Sequence, residues 1–339
     1  MIIFSTAVAG SNRIAIESKV VKLAKSHGKD LKIINLVDEM LEVAKGLNGE
    51  LTPKTLLNLD KKVLDVITLN ALHKINDRIK STPGTDYIID GHTTFWWKSG
   101  PINLMDISDF KELKPDFFIT VIATEREHDM LFEDKENLKD SHIDMYELLI
   151  WSELEVYTTD LISSALGKQN YLIGLQEDPL TLYNLIYNPD MIKIYISFAM
   201  TSANKSVFRN LERFVNKLNK IAIVFKPGKV DLDSYKKYKN DPKIMQTASN
   251  QTVRRDYHQI DQSDMVVIHL ASLVYSSGVD SERMHAHSTG KKVFLYFPFS
   301  TYSPFTPYFV DKMYNKEDQL IDKVKQLAAE MPRKRRDRN

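Results

Sequence analysis

At 339 residues the chain is longer than one average domain, and with 43% hydrophobic and 10% aromatic residues it can bury ordinary cores, which excludes a disordered or fibrous protein. Forty-six basic against forty-five acidic side chains leave a formal net charge of +1, so no global field recruits nucleic acid or an anionic membrane. The lack of cysteine excludes disulfides, thiolate nucleophiles and cysteine-ligated zinc or iron–sulfur centres, and a cytoplasmic protein is expected.

Short apolar runs alternate with amphipathic segments along the whole chain. Strands are expected at Ile2–Thr6, Leu31–Leu36, Tyr87–Asp90, Phe117–Ala123, Tyr171–Leu175, Ile192–Phe198, Ile221–Phe225, Met265–Leu270 and Lys292–Phe297, with helical patterns between most of them. That order predicts an α/β protein of two domains, each a mainly parallel sheet flanked by helices. The break is placed at Asn188-Pro189-Asp190, giving domains over 1–188 and 191–325. Lys226–Thr252, polar and carrying Pro227-Gly228 and Asp241-Pro242, is expected to include a mobile excursion over a site. The run 331–339 reads as a basic, solvated tail, and contact with RNA is left to that tail alone. No stretch of about 18 apolar residues occurs, so no membrane span is expected. The first residues lack the basic and apolar regions of a signal peptide.

The first strand runs into Thr6–Ile16, where a phosphate-binding loop would join strand to helix. Such a loop needs glycines for close backbone approach, a lysine for the phosphates and a hydroxyl for magnesium. Gly10 and Ser11 are present, but Ala7 stands for the first glycine, Asn12-Arg13 for Gly-Lys, and Ile14 cannot ligate a metal. Further on, Ile88-Ile89-Asp90-Gly91-His92 ends a buried strand in a carboxylate, and His92 reads as a packed or capping residue. On these residues the first 188 positions resemble the archaeal adenylate kinase type of P-loop nucleoside monophosphate kinase, with an altered loop. The resemblance implies Gly10, Ser11, Arg13 and Asp90 as nucleotide-binding positions. It also implies a lid with arginines, whereas Glu133–Asp140 is acidic and has none. Without the lysine, the hydroxyl and the lid arginines, phosphoryl transfer loses most of its electrostatic help. Three readings stay open for this half: a retained scaffold, nucleotide binding without turnover, and kinase chemistry with Arg13 in place of the lysine.

In the second half, Tyr195 lies on a strand that ends in Ser197-Phe198 and a turn of small residues. Asp256 is followed eight residues later by Asp264, which opens a strand; then come Ser277-Gly278-Val279, Glu282 four residues beyond the glycine, and Gly290-Lys291 before the last strand. Breaking an N-glycosidic bond develops oxocarbenium character at C1′, so a carboxylate must face the anomeric carbon while a second group helps the base leave. Glu282 suits the first task, and a place in the first helical turn would favour its ionised form. Over residues 192–298 the pattern is similar to the nucleoside 2-deoxyribosyltransferase superfamily, which includes the 2′-deoxynucleoside 5′-phosphate N-hydrolases. The resemblance implies Glu282 as nucleophile, Asp256 on the sugar hydroxyls or the leaving base, and Tyr195 orienting the glutamate. Ser197, Phe198, Ser277, Gly278 and Asp264 follow as substrate-binding positions, with Ser197 and Ser277-Gly278 cradling a 5′-phosphate. A small nucleotide substrate is implied, no cofactor and no metal, and a dimer or larger assembly, since members often complete a site from a neighbouring subunit. His285 and His287, two apart on a helix, point in different directions and make no metal pair. Hydrolysis and deoxyribosyl transfer both stay open, and a deoxyribosyltransferase acting on nucleosides, a nucleotide or nucleoside kinase using residues 1–188 and a non-catalytic nucleotide sensor remain as competing functions.

Overall fold

The computed structural model describes residues 1–45, 51–97, 100–123, 143–200, 205–227, 238–273 and 275–336. The acidic stretch 133–140 lies outside them, as do 201–204 and 228–237. By internal compactness the chain divides into one unit of Met1–Pro179 with Val230–Gln251 and a second of Leu180–Lys229 with Thr252–Asn339.

The first unit is built on β1 (Ile2–Thr6), α1 (Ile14–Ser26), β2 (Leu31–Asn35), α2 (Leu36–Ala44), α3 (Pro53–Leu56), α4 (Lys61–Ser81), β3 (Asp86–Asp90), the hairpin β4 (Thr94–Trp97) and β5 (Gly100–Asn103), α5 (Ile107–Leu113), β6 (Phe117–Ile122), α6 (Met145–Ala165) and β7 (Asn170–Gly174). Its five parallel strands lie in the order β2-β3-β1-β6-β7. All six residues of β6 are buried, which only a strand covered on both faces requires, and this is why the run reads as unbroken apolar sequence. Phe4, Phe110 and Phe118 meet edge to face at 4.7–5.9 Å at the centre of one core cluster. Gly91 in the Asp-Gly-His turn is demanded by packing: a Cβ there would stand 2.8 Å from the Phe4 ring.

The helix α7 (Pro179–Tyr187) precedes the second sheet, which comprises β8 (Ile192–Ser197), α8 (Lys205–Leu218), β9 (Ala222–Phe225), α9 (Pro242–Asp261), β10 (Met265–His269), α10 (Ser277–Ser288), β11 (Lys292–Tyr296), β12 (Lys312–Tyr314) and α11 (Glu317–Arg336). Its order is β9-β8-β10-β11-β12, again all parallel. On α8 the buried Leu211, Phe214, Val215 and Leu218 recur at the spacing of one helical face and close a core over the sheet. The α/β class with two parallel sheets is therefore the architecture the apolar runs predict.

Three local features depart from expectation. The hairpin β4–β5 and the edge strand β12 were not foreseen, being only four and three residues long. The Asp241-Pro242 step is a helix start, not part of an irregular excursion: Asp241 Oδ1 accepts from the amides of Lys243 (3.0 Å) and Ile244 (3.2 Å), and proline fits the first helical position, where its missing N–H costs nothing. Finally, α11 continues through Arg336, so most of the run expected as a flexible tail prolongs a helix set up by good helix formers at Val324–Met331. No helix among the described residues is long and apolar enough to cross a membrane.

Candidate active site

In sequence order the strands of the second sheet lie 2-1-3-4-5, an arrangement whose chain direction reverses between β8 and β10. Ligands of such sheets bind outside the carboxyl ends of the strands at that switch point. Tyr195 and Ser197 are the last inward residues of β8, both fully buried. Glu282 reaches them from α10, the helix that follows β10. The Tyr195 hydroxyl donates to Glu282 Oε1 at 3.0 Å, and the Ser197 hydroxyl donates to Oε2. Asp256, half-buried on α9, shares the same tyrosine hydroxyl. Residues separated by up to 87 positions thus converge on one carboxylate.

Burial pushes Glu282 up to about 8, with the negative charge of Asp256 adding to the rise and the Ser197 and Tyr195 hydroxyls opposing it. Asp256 is pushed up to about 7, again by burial, against the Tyr195 hydrogen bond and the Arg255 charge. Tyr195 is driven well above its usual range by burial and by the two carboxylates. A single phenol proton cannot serve both acids, so near neutrality the pair holds one proton between them and titrates as a unit. This reverses the expectation for Glu282. It is the sixth residue of α10, in the second turn, where the helix dipole has faded and desolvation dominates.

The sequence-derived substrate positions separate into four groups. Ser197 does not face a phosphate; its hydroxyl is spent on Glu282. Ser277 and Gly278 are exposed at the start of α10, where the first amides have no intrahelical acceptor, while Ser276 caps the helix by accepting from the Val279 amide at 3.4 Å. A Cβ on Gly278 would meet only the Ser276 Oγ at 3.9 Å, so packing does not require that glycine. Phe198 is half-buried and sits edge to face with Phe208 at 5.8 Å. Asp264 stands at the opposite end of the sheet: its carboxylate accepts from the Lys193 amide at 2.8 Å, four residues and roughly 13 Å along β10 from Ile268, the partner of Ser197. It ties two strand starts together and does not reach the carboxylate pair.

In the first unit the altered loop keeps two left-handed residues, Gly10 (φ 86°) and Asn12 (φ 57°), which turn the chain into α1. Ser11 is buried, its amide donating to Val8 O at 3.1 Å. Arg13, 6% exposed, is not free for a phosphate: its guanidinium pairs with Asp90 and lies 3.7 Å from Glu17. Asn35 donates to the other Asp90 oxygen at 3.0 Å. His92 bonds Ala7 O at 2.7 Å, and burial, then the Arg13 charge, pushes it down to about 3, so it is neutral and packed. Four of the expected nucleotide-binding positions therefore lie together, but the cation is already neutralised from within. The expected result is that the protein releases no ADP from Mg-ATP above background; phosphate release that disappears in Arg13→Ala would overturn it.

Residues 18–144 match a family model described as an AAA domain, and the match begins after the altered loop. No curated protein sequence matches the chain. Among solved structures, a conserved protein of Enterococcus faecalis V583 is 18% identical over 40% of this chain and 98% of its own, with a TM-score of 0.30. The CMP N-glycosidase BcmB of Clostridium botulinum is 17% identical over 39% of this chain and 97% of its own, with a TM-score of 0.25.

Proposed function

We propose that the second unit cleaves the N-glycosidic bond of a 2′-deoxynucleoside 5′-monophosphate, with Glu282 as nucleophile. The observation that carries this is a carboxylate held by two buried hydroxyls beside a second carboxylate on the same tyrosine, the two holding a proton between them near pH 7. Retaining glycoside chemistry needs that pair of roles. Glu282 Oε forms a bond to C1′ as the C1′–N bond breaks, and the electron pair of that bond leaves with the base. Asp256, protonated, gives its proton to the departing nitrogen. Water or a second base then attacks C1′ of the glycosyl ester, its proton passing to the Asp256 carboxylate as the C1′–O bond breaks and Glu282 returns as carboxylate. Tyr195 and Ser197 fix the glutamate so that one oxygen points at the anomeric carbon, and the Tyr195 proton follows whichever acid is charged.

Burial raises Glu282 further than Asp256, so in the free protein the proton of the singly protonated pair rests mainly on Glu282. Binding substrate must invert that order, which predicts a bell-shaped kcat/KM against pH with its maximum between about 7 and 8.

The test is chromatographic detection of free base after incubation with matched nucleosides and 5′-monophosphates, CMP and dCMP among them. Monophosphates should be processed at least tenfold better. The reason is that the exposed amides of Ser277 and Gly278 and the Ser277 hydroxyl would each make a charge-assisted bond of about 1.5–3 kcal/mol to the phosphate. Ser277→Ala should shrink the ratio through the monophosphate alone. Equal rates on a matched pair would move the substrate to the nucleoside level and remove Ser277 from the site.

A further inference from the structure

On α10, Ser276, Val279, Asp280 and Arg283 recur at spacings of three, four and seven and so share one face, while Glu282 stands about a third of a turn round the helix. That second face borders a cavity of about 490 Å³. Its wall includes Tyr275, Tyr302 and Phe305, which are 81%, 46% and 75% exposed. Exposed aromatic rings gathered round one concavity are unusual for a surface with nothing to bind. The cavity also has a built polar floor. Arg283, 8% exposed, donates to Thr306 O and to Asp280 Oδ1, each at 2.7 Å, and its Nε atom has no partner.

The placement defines what such a group must be attached to. The cavity is lined by Ser276, the cap of α10, and not by Glu282, and the distance along the helix axis from Glu282 to Ser276 is about 9 Å. A nucleotide with C1′ at Glu282 and its 5′-phosphate at the first amides of α10 therefore leaves the cavity on the far side of the phosphate. A larger cavity of about 750 Å³ shares Phe297 and Tyr302 but is otherwise lined from β12, α11 and their flanks, with no residue of α10, and so does not continue from the phosphate position.

We propose that the cavity is a subsite for a planar aromatic group carried beyond the 5′-phosphate, so that the favoured substrate is a dinucleotide joined through its 5′-phosphates rather than a simple monophosphate. This rests on the proposed glycosidic site for the orientation of the nucleotide. The second base stacks among Tyr275, Tyr302 and Phe305, and the Asp280 carboxylate accepts from its amino group or from the hydroxyls of its ribose.

The experiment compares thymidine 5′-monophosphate with the same nucleotide linked by pyrophosphate to adenosine, so that the reacting half is constant. Binding is measured by calorimetry on full-length Glu282→Gln protein, and base release on the wild type. The dinucleotide should bind roughly tenfold or more tightly, and Tyr275→Ala with Phe305→Ala should bring its affinity down to that of the monophosphate without changing the latter. Because both rings are exposed, these variants should keep the wild-type thermal midpoint. Equal affinities, failure of both ligands to bind, or variants that weaken both ligands alike would overturn the subsite. An affinity gap erased by the variants, with no base released from either compound by wild-type protein, would keep the subsite and sink the glycosidic reaction.

Discussion

Glu282→Gln should abolish base release, by a thousandfold or more, while making the protein more stable at pH 8 than the wild type. The loss follows from the chemistry: an amide cannot form the glycosyl ester, and no other carboxylate touches both Tyr195 and Ser197. The gain follows from linkage. Glu282 has an ordinary value of 4.5 in the unfolded chain and about 8 in the folded one. Between those values the folded state holds a proton the unfolded state has lost, so wild-type stability falls as pH rises and the deficit is complete above about 8. Glutamine has no proton to lose. Its advantage should be absent below about pH 4.5, grow through the window and reach the order of a few kcal/mol at its top. Calorimetric midpoints of the two proteins at pH 5 and pH 8 check the sign; a destabilised, inactive Glu282→Gln would mean that the glutamate is structural. Functional sites characteristically show this exchange of stability for activity.

The parts of this molecule that were legible in the sequence are those in which chemistry and periodicity are local. The nine apolar runs became nine of the ten strands described in the two parallel sheets, because a parallel strand covered on both faces is written largely in apolar residues. The carboxylate pair was legible only through the resemblance, which names Asp256 and Glu282 on either side of β10. What the sequence hides is direction across the sheet. Asp264 reads in the sequence as a strand-opening acid, but only the fold shows that Asp256 reaches the Tyr195 hydroxyl while the Asp264 carboxylate is taken by the Lys193 amide. Ser197 likewise reads as a loop hydroxyl available to a phosphate. Its true partner lies 85 residues away and is chosen by the register of α10 against β8. Arg13 gives the opposite lesson, since a cation in a phosphate loop suggests a ligand until Asp90 and Glu17 are seen to neutralise it.

Glu155→Ala should cost about 3–5 kcal/mol, the largest stability loss expected from any single truncation in the first unit. Glu155 lies on α6, 1% exposed, and both its oxygens are engaged: the Thr93 and Thr94 amides donate at 2.8 Å each, and the Thr6 and Thr94 hydroxyls donate as well. The carboxylate thereby joins the end of β1 to the turn after β3 and the start of β4. Burial pushes its pKa up against those same donors, so the group is costly to hold and its bonds offset the cost. Truncation leaves two amides and two hydroxyls unpaired in a space that water does not enter freely, and each unpaired buried donor costs about 1–3 kcal/mol. Glutamine is a sharper probe than alanine. It fills the volume and keeps one acceptor, but sets an amide N–H₂ against either the Thr93 or the Thr94 N–H, so most of the loss should remain. The three tryptophans, Trp96, Trp97 and Trp151, all belong to the first unit, which makes their fluorescence a selective reporter of its unfolding. In urea the fluorescence midpoint should fall strongly for both Glu155 variants and hold steady for Glu282→Gln. A midpoint within 0.5 kcal/mol of wild type in Glu155→Ala, on the ordinary scale of surface substitutions, would show that water replaces the carboxylate and that the network is not what joins these strands.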